Sequence, residues 1–223
     1  RLRPDPLEVS GGLRSQNAAG VKPPQFRVAM NTIVKSPAAK IAIFAMVISQ
    51  VTMVAVMTMT PVHLKAHGHE SVSPFVISLH IAGMYAFSPW VGRYCDRKGR
   101  LSAIAVGSVL LVLAAVFSAL AGESALLLFP ALWLLGVGWS FGLIGGSNLL
   151  VDSVPLESRV QVQGTADFLM SLCGGIAGFS SGFIRRAVGF HMLANFACLC
   201  AFAMFLVVQN ARRKQPVTQA PAL

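Results

Sequence analysis

The chain has 223 residues, 55% of them hydrophobic and only 12% charged, with a net charge of +10 and a mean hydropathy of +0.67. Soluble domains carry about twice that share of charge, so a soluble globular protein is excluded in favour of one that uses a bilayer as solvent. The basic excess lies at the ends and turns of apolar stretches and forms no stripe interleaved with aromatics, which excludes a nucleic-acid partner.

Residues 1–39 form a polar, basic lead with Pro4, Pro6, Pro23, Pro24 and Pro37 and with Gly11, Gly12 and Gly20. That composition suits a cytoplasmic linker. Within it, Phe26–Val34 has the pattern of a short helix lying on a membrane surface; a disordered connector is the alternative. The chain opens without Met and without the apolar core of a signal peptide, and is read as a fragment or a processed piece.

Six apolar segments follow, over Ile41–Val62, Val72–Val91, Leu101–Ala121, Ala125–Val151, Val160–Ile184 and Phe190–Val208. Each is close to the ~20 residues that span a hydrocarbon core as helix. The expected fold class is therefore all-α and polytopic, with a bundle of six transmembrane helices over residues 40–210 and a cytoplasmic tail over 211–223. Fifteen of the 18 Lys and Arg residues fall on the side of the chain termini and only Lys65, Arg185 and Arg186 on the other. Lys and Arg stay cytoplasmic, so both termini are placed inside. The Arg185–Arg186 pair is the exception, either reaching the outer headgroups or serving a function.

The first segment carries Gln50 and an adaptable Met surface (Met46, Met53, Met57, Met59). His63, His67 and His69 border the outer loop beside Lys65 and Glu70. They do not complete a helical metal set with carboxylates, and no metal is expected. His80 sits in the second segment, where an imidazole serves either as a titrating group or as a neutral hydrogen-bonding core residue.

Between the second and third segments the chain reads Gly92-Arg-Tyr-Cys-Asp-Arg-Lys-Gly-Arg100. Two glycines, a carboxylate and four basic groups are compressed into nine residues that turn at a membrane surface. Gly92 allows close approach of a helix end, and Gly99 suits a turn with positive φ. This stretch resembles the signature loop of the major facilitator superfamily, Gly-x-x-x-Asp-Arg-x-Gly-Arg, matched by Gly92, Asp96, Arg97, Gly99 and Arg100. Cys95 stands where a small residue is usual and Tyr94 where an apolar one is.

The resemblance implies one six-helix half of a twelve-helix transporter, built from inverted three-helix repeats. The basic lead resembles the central loop of that family, which makes this the C-terminal half, over about residues 40–210. The stretches Met57–His63 and Ser78–Tyr85 resemble an uncharacterised bacterial subgroup, which implies the bacterial inner membrane. The implied activity is secondary transport of small molecules by alternating access, with proton-coupled efflux as in drug–proton antiporters. The implied partners are the lipid bilayer, a small-molecule substrate, and the missing N-terminal half, from the same polypeptide or as a second copy. Asp96 would take a partner on that missing half; the plain alternative is a positive-inside turn without gating.

The fourth segment carries Gly138, Gly142 and Gly146, and the fifth Gly174, Gly178 and Gly182. This spacing predicts one smooth stripe on each helix for close packing. Asn148 is a neutral candidate for lining a cavity. Asp152 and Arg159, with Glu157 between them, are candidates for an inner gate. Asp167 lies about two turns into the fifth segment, where a carboxylate is costly: it binds a proton or a cationic substrate, or else it is a near-interface residue, hydrated or paired with Arg159 or a neighbouring loop.

The alternatives are a membrane redox subunit and a non-transporting structural or sensory bundle. Haem would need paired histidines at one depth, and His80 and His191 lie on different segments at different depths. A phosphate loop, G-x4-G-K-[ST], is absent. Cys95, Cys173, Cys198 and Cys200 lack disulfide or zinc spacing and are read as reduced thiols. No cofactor and no catalytic residues are expected.

Overall fold

The computed structural model describes residues 26–214. The lead before Phe26 and the last nine residues lie outside it. Among the described residues all regular elements are helical.

Helix α1, Phe26–Lys35, is the short segment anticipated ahead of the first span. It buries Ala29 and Ile33, one turn apart on one face, and leaves Phe26, Val28 and Val34 exposed. Ser36 ends it and starts α2, Pro37–Ala66: its side chain accepts a hydrogen bond from the Ala39 N–H at 3.2 Å, and Pro37 takes the first helical position. Such a cap contributes about 1 kcal/mol, and proline suits a position whose N–H has no helical partner.

The second span is two helices, α3 (Ser73–Tyr85) and α4 (Ser88–Lys98). The break has a local cause. Pro89 has no N–H to give to the Tyr85 carbonyl, and its ring crowds that carbonyl. The remaining spans are α5 (Arg100–Leu120), α6 (Leu128–Asp152), α7 (Arg159–Val188) and α8 (Phe190–Lys214). The six spans are long and apolar enough to cross a membrane. The last helix runs past Asn210 to Lys214.

The signature is mostly helix rather than loop. Gly92 to Lys98 complete the last turns of α4, and only Gly99, at φ +87°, leaves the helical conformation before α5 starts. Nothing between Gly92 and Lys98 breaks a helix except glycine itself, which helices tolerate at about 1 kcal/mol. The room anticipated for a close approach at Gly92 is open: no atom lies within 4 Å of where its Cβ would be.

Helix α6 is the centre of the bundle and touches α2, α3, α4, α5 and α7. The apolar core has two main layers. At the signature end Met46, Ile104, Leu150, Val162 and Met204 pack together, with Ala29 and Ile33 of α1 joining them. At the opposite end Val56, Leu64, Val76, Leu111, Leu132 and Phe190 form the second. Helix α7 joins only the first, through Val162, Ala166 and Met170. Further along it Leu172, Ile176, Phe179 and Phe183 are exposed.

The glycines of α6 set how close its neighbours come, but not as one stripe. Gly142 and Gly146 lie against α2, at Ala45, Ser49 and Met46. Gly138 lies against α5, at Gly107 and Leu111. Steps of four in a 3.6-residue helix drift by about 40° each, so three such glycines turn from one neighbour toward the next. Gly136 and Gly145, which the four-residue pattern passes over, are as tightly placed: Gly136 meets Gly83 and the His80 carbonyl on α3, and Gly145 meets Ile104 on α5. On α7, Gly174 and Gly178 pack on Gln50 and Val54 of α2, whereas Gly182 faces open space.

Candidate functional site

Three polar groupings stand out in an otherwise apolar bundle. The first is at the signature end. Gly99 turns the chain so that Arg100, the first residue of α5, folds back over the end of α4. Its Nη1 donates to Asp96 Oδ1 and to the Cys95 carbonyl, both at 3.0 Å, and its Nε donates to Asp152 Oδ2 at 3.1 Å. One guanidinium thus holds two carboxylates on two helices. The side chain of Arg100 is 29% exposed, while Asp96 and Asp152 are 70% and 55% exposed, so each pair by itself is worth less than about 1 kcal/mol.

The geometry of the two acids differs. Asp96 approaches the N-terminus of α5, where negative charge is favoured. Asp152 is the last residue of α6, where the helix dipole disfavours it. Arg100 offsets that cost, and the carboxylate is retained at a position where the helix alone would not want one. Arg159, anticipated beside Asp152, makes no ion pair among the described residues, and its buried Nε has no hydrogen-bond partner there.

The second grouping lies near the middle of the spans. Gln50 of α2 accepts a hydrogen bond from Trp139 Nε1 of α6 at 2.8 Å, and its amide packs on Gly174 of α7. The missing side chain at Gly174 makes the room for the Gln50 amide. Trp139 meets the exposed ring of Tyr85 edge to face, with centroids 6.3 Å apart. Gln50 therefore joins three helices, and the end of α3 reaches the group through Trp139. Replacing Gln50 by leucine leaves a buried indole N–H without an acceptor and lowers stability by about 1–3 kcal/mol. Adding Trp139→Phe recovers most of that loss, because neither polar partner then remains. Thermal melting of the single and double variants measures both effects.

The third grouping is nearer the signature end. Ser147 Oγ of α6 donates to Gln163 Oε1 at 3.0 Å, and Gln163 Nε2 donates to Asp167 Oδ1 at 2.9 Å, both on α7. Asp167 is exposed on the bundle surface, and Phe26 of α1 packs edge to face on its neighbour Phe168. Asn148 is half-buried next to Ser147 on α6. His80 is fully buried between α3 and α6, with Nδ1 2.9 Å from the Leu132 carbonyl and Nε2 without a partner among the described residues.

Sequence reasoning reached Gln50, Asp96, Arg100, Asp152 and Asp167 but missed Trp139, Ser147 and Gln163. Two signals were available. A buried indole N–H needs an acceptor, and Gln163 stands one turn from Asp167 on the same face.

A family model described as Major Facilitator Superfamily matches residues 2–179. The chain belongs to that superfamily. It is 41% identical over 213 residues to an uncharacterized MFS-type transporter, YdeG, of Bacillus subtilis, covering 95% of this chain and 49% of that protein. To a second from the same organism, YddS, it is 38% identical over 214 residues, covering 93% and 48%. To the riboflavin transporter RfnT of Brucella anthropi it is 30% identical over 194 residues, covering 86% and 48%. The chain thus spans about half the length of these relatives. It is a multi-pass membrane protein of the major facilitator type, and the six candidate spans among the described residues fit one half of the superfamily fold.

Proposed function

We propose that this chain forms the C-terminal half of a proton-coupled exporter of the major facilitator type, in a cell membrane and with both termini cytoplasmic. The Asp96–Arg100–Asp152 arrangement carries the reading. It ties the α4–α5 turn to the end of α6 with charged groups that stay accessible to a second bundle. Gly92 stands one turn before Asp96 on the same helical face, so a helix of the other half can approach the open surface at Gly92 and meet the Asp96 carboxylate. Forming and breaking that contact closes and opens the cytoplasmic side. The mid-span junction of Gln50, Trp139 and Tyr85 is the substrate end of the mechanism: a neutral hydrogen-bonding amide beside an aromatic edge suits a flat amphipathic molecule. A similarity to a riboflavin transporter supports that class.

Asp167 is the coupling carboxylate in this reading. It is exposed, hydrogen-bonded by Gln163, and linked through Ser147 to α6. Protonation of Asp167 weakens the acceptor that orients the Gln163 amide, and Gln163 is the residue that ties α7 to Ser147 of α6. The twelve-helix protein reconstituted in vesicles, with riboflavin and ethidium as fluorescent probes, tests both parts. Asp167→Asn is expected to keep downhill equilibration of the probe and to lose its acceleration by an imposed pH gradient. Gradient-driven flux equal to wild type in that variant removes proton coupling at this residue.

A further inference from the structure

A cavity lies at the end opposite the signature, away from all three groupings above. It has a volume of about 530 Å³ and lies where α2, α5 and α7 end and α8 begins. Its ionisable lining is His63 and His67 from α2, Glu123 from the turn after α5, Arg185 and Arg186 from α7, and His191 from α8. Two permanent cations and three imidazoles thus face a single carboxylate.

The arrangement is built rather than incidental. His63 Nε2 is 2.7 Å from the Gly122 carbonyl, and the ring stacks on Phe190 at 4.3 Å. His67 Nδ1 is 2.8 Å from the His63 carbonyl, which fixes the second ring one turn further on. Arg185 spends one Nη2 donor on the Val62 carbonyl at 3.3 Å, and its buried Nε has no partner among the described residues. Gly189, at φ +87°, turns the chain from α7 directly into α8, so the first backbone N–H groups of a 25-residue helix open at the cavity wall. A cation is disfavoured here. The two guanidinium groups repel it, and the ring nitrogens of His63 and His67 that face carbonyls cannot also ligate a metal. The ends of α2, α5 and α7 bring partial negative charge, which is about half an elementary charge per helix. Against them stand two whole charges with five donors each.

We propose that this cavity is a phosphate-binding site, on the outer face in the orientation proposed above, with Arg185 and Arg186 as the ligand-binding residues and the α8 N-terminus as an additional donor set. The phosphate is carried either by a soluble molecule or by an anionic lipid headgroup, since the cavity lies where the apolar spans α2, α5 and α7 end.

The test uses the full protein in neutral detergent for calorimetric titration with inorganic phosphate, and in nanodiscs of phosphatidylcholine with 20% phosphatidylglycerol (about one lipid in five) for lipid retention by native mass spectrometry. Arg186→Gln is the first variant, because Arg186 is exposed and its side chain makes no hydrogen bond among the described residues. Arg185→Gln is the second, and Arg212→Gln at the far end is the control. Phosphate affinity at least tenfold weaker in Arg186→Gln or Arg185→Gln, and unchanged in the control, establishes the site with a soluble ligand. Loss of phosphatidylglycerol retention in the same variants, without measurable inorganic phosphate binding, establishes it with a lipid ligand. Phosphate and lipid binding that both variants leave as in wild type overturns the proposal.

Discussion

Replacing Gly136 by alanine is expected to destabilise the bundle by about 1–3 kcal/mol, whereas Gly182→Ala leaves it unchanged or raises its stability by up to about 1 kcal/mol. Both substitutions put the better helix former into a helix interior, and that effect favours alanine equally at both. The difference is what the new methyl group meets. At Gly136 it runs into the His80 carbonyl oxygen, with Met84 N at 3.0 Å and the Gly83 carbonyl carbon at 3.2 Å. All three are backbone atoms of α3, which no rotamer change can move. At Gly182 nothing lies within 4 Å. Packing of transmembrane helices rests on such close approach, because lipid supplies no hydrophobic drive to bring helices together. The crowded site therefore overrides the propensity gain. Melting followed by size-exclusion chromatography after heating separates the two variants, and equal midpoints would contradict the packing described for α3 and α6.

The second large effect is expected at Arg100. Arg100→Ala removes the partner of both Asp96 and Asp152, and it leaves Asp152 at the C-terminus of α6 with no compensating charge. Two half-exposed pairs at about 0.5 kcal/mol each, with the dipole cost on Asp152 added, come to roughly 1–1.5 kcal/mol. In the proposed transport cycle, a shift of that size between inward- and outward-facing states is expected to slow turnover about tenfold. The double variant Arg100→Ala/Asp152→Asn separates stability from gating. Removing the carboxylate restores the melting temperature, because the helix end is no longer unfavourably charged. Transport stays slow, because the tie between α4, α5 and α6 is still gone. Initial rates of probe flux beside melting midpoints give both readings. Wild-type flux in Arg100→Ala would leave the arrangement as no more than a turn that orients the protein.

Much of this was legible along the chain. The six spans follow from runs of apolar residues, and the observed helices extend the expected segments by a few residues at most ends, because polar residues such as those of Ala211–Lys214 continue a helix once it has started. The signature was readable from five residues and their spacing. Its helical character was less so: the charge density of Gly92–Arg100 suggests a loop, while backbone hydrogen bonding carries α4 through to Lys98. The glycine ladders were legible as packing devices, but not the neighbours they pack on. Gly136 and Gly83 meet across two helices that are about fifty residues apart in sequence, and no periodicity within either helix announces the pair.

The sequence by itself determined that the protein lives in a bilayer, how many times it crosses, and which end carries the charged turn. Those properties depend on the composition and length of single segments, which the solvent reads one at a time. The tertiary structure decided which side chains share a site: Arg100 with Asp152, Gln50 with Trp139, and His63 with Arg185 around the cavity at the end opposite the signature. Such partners sit on different helices, and the rotation of each helix about its axis is set only when backbones come into contact through their glycines.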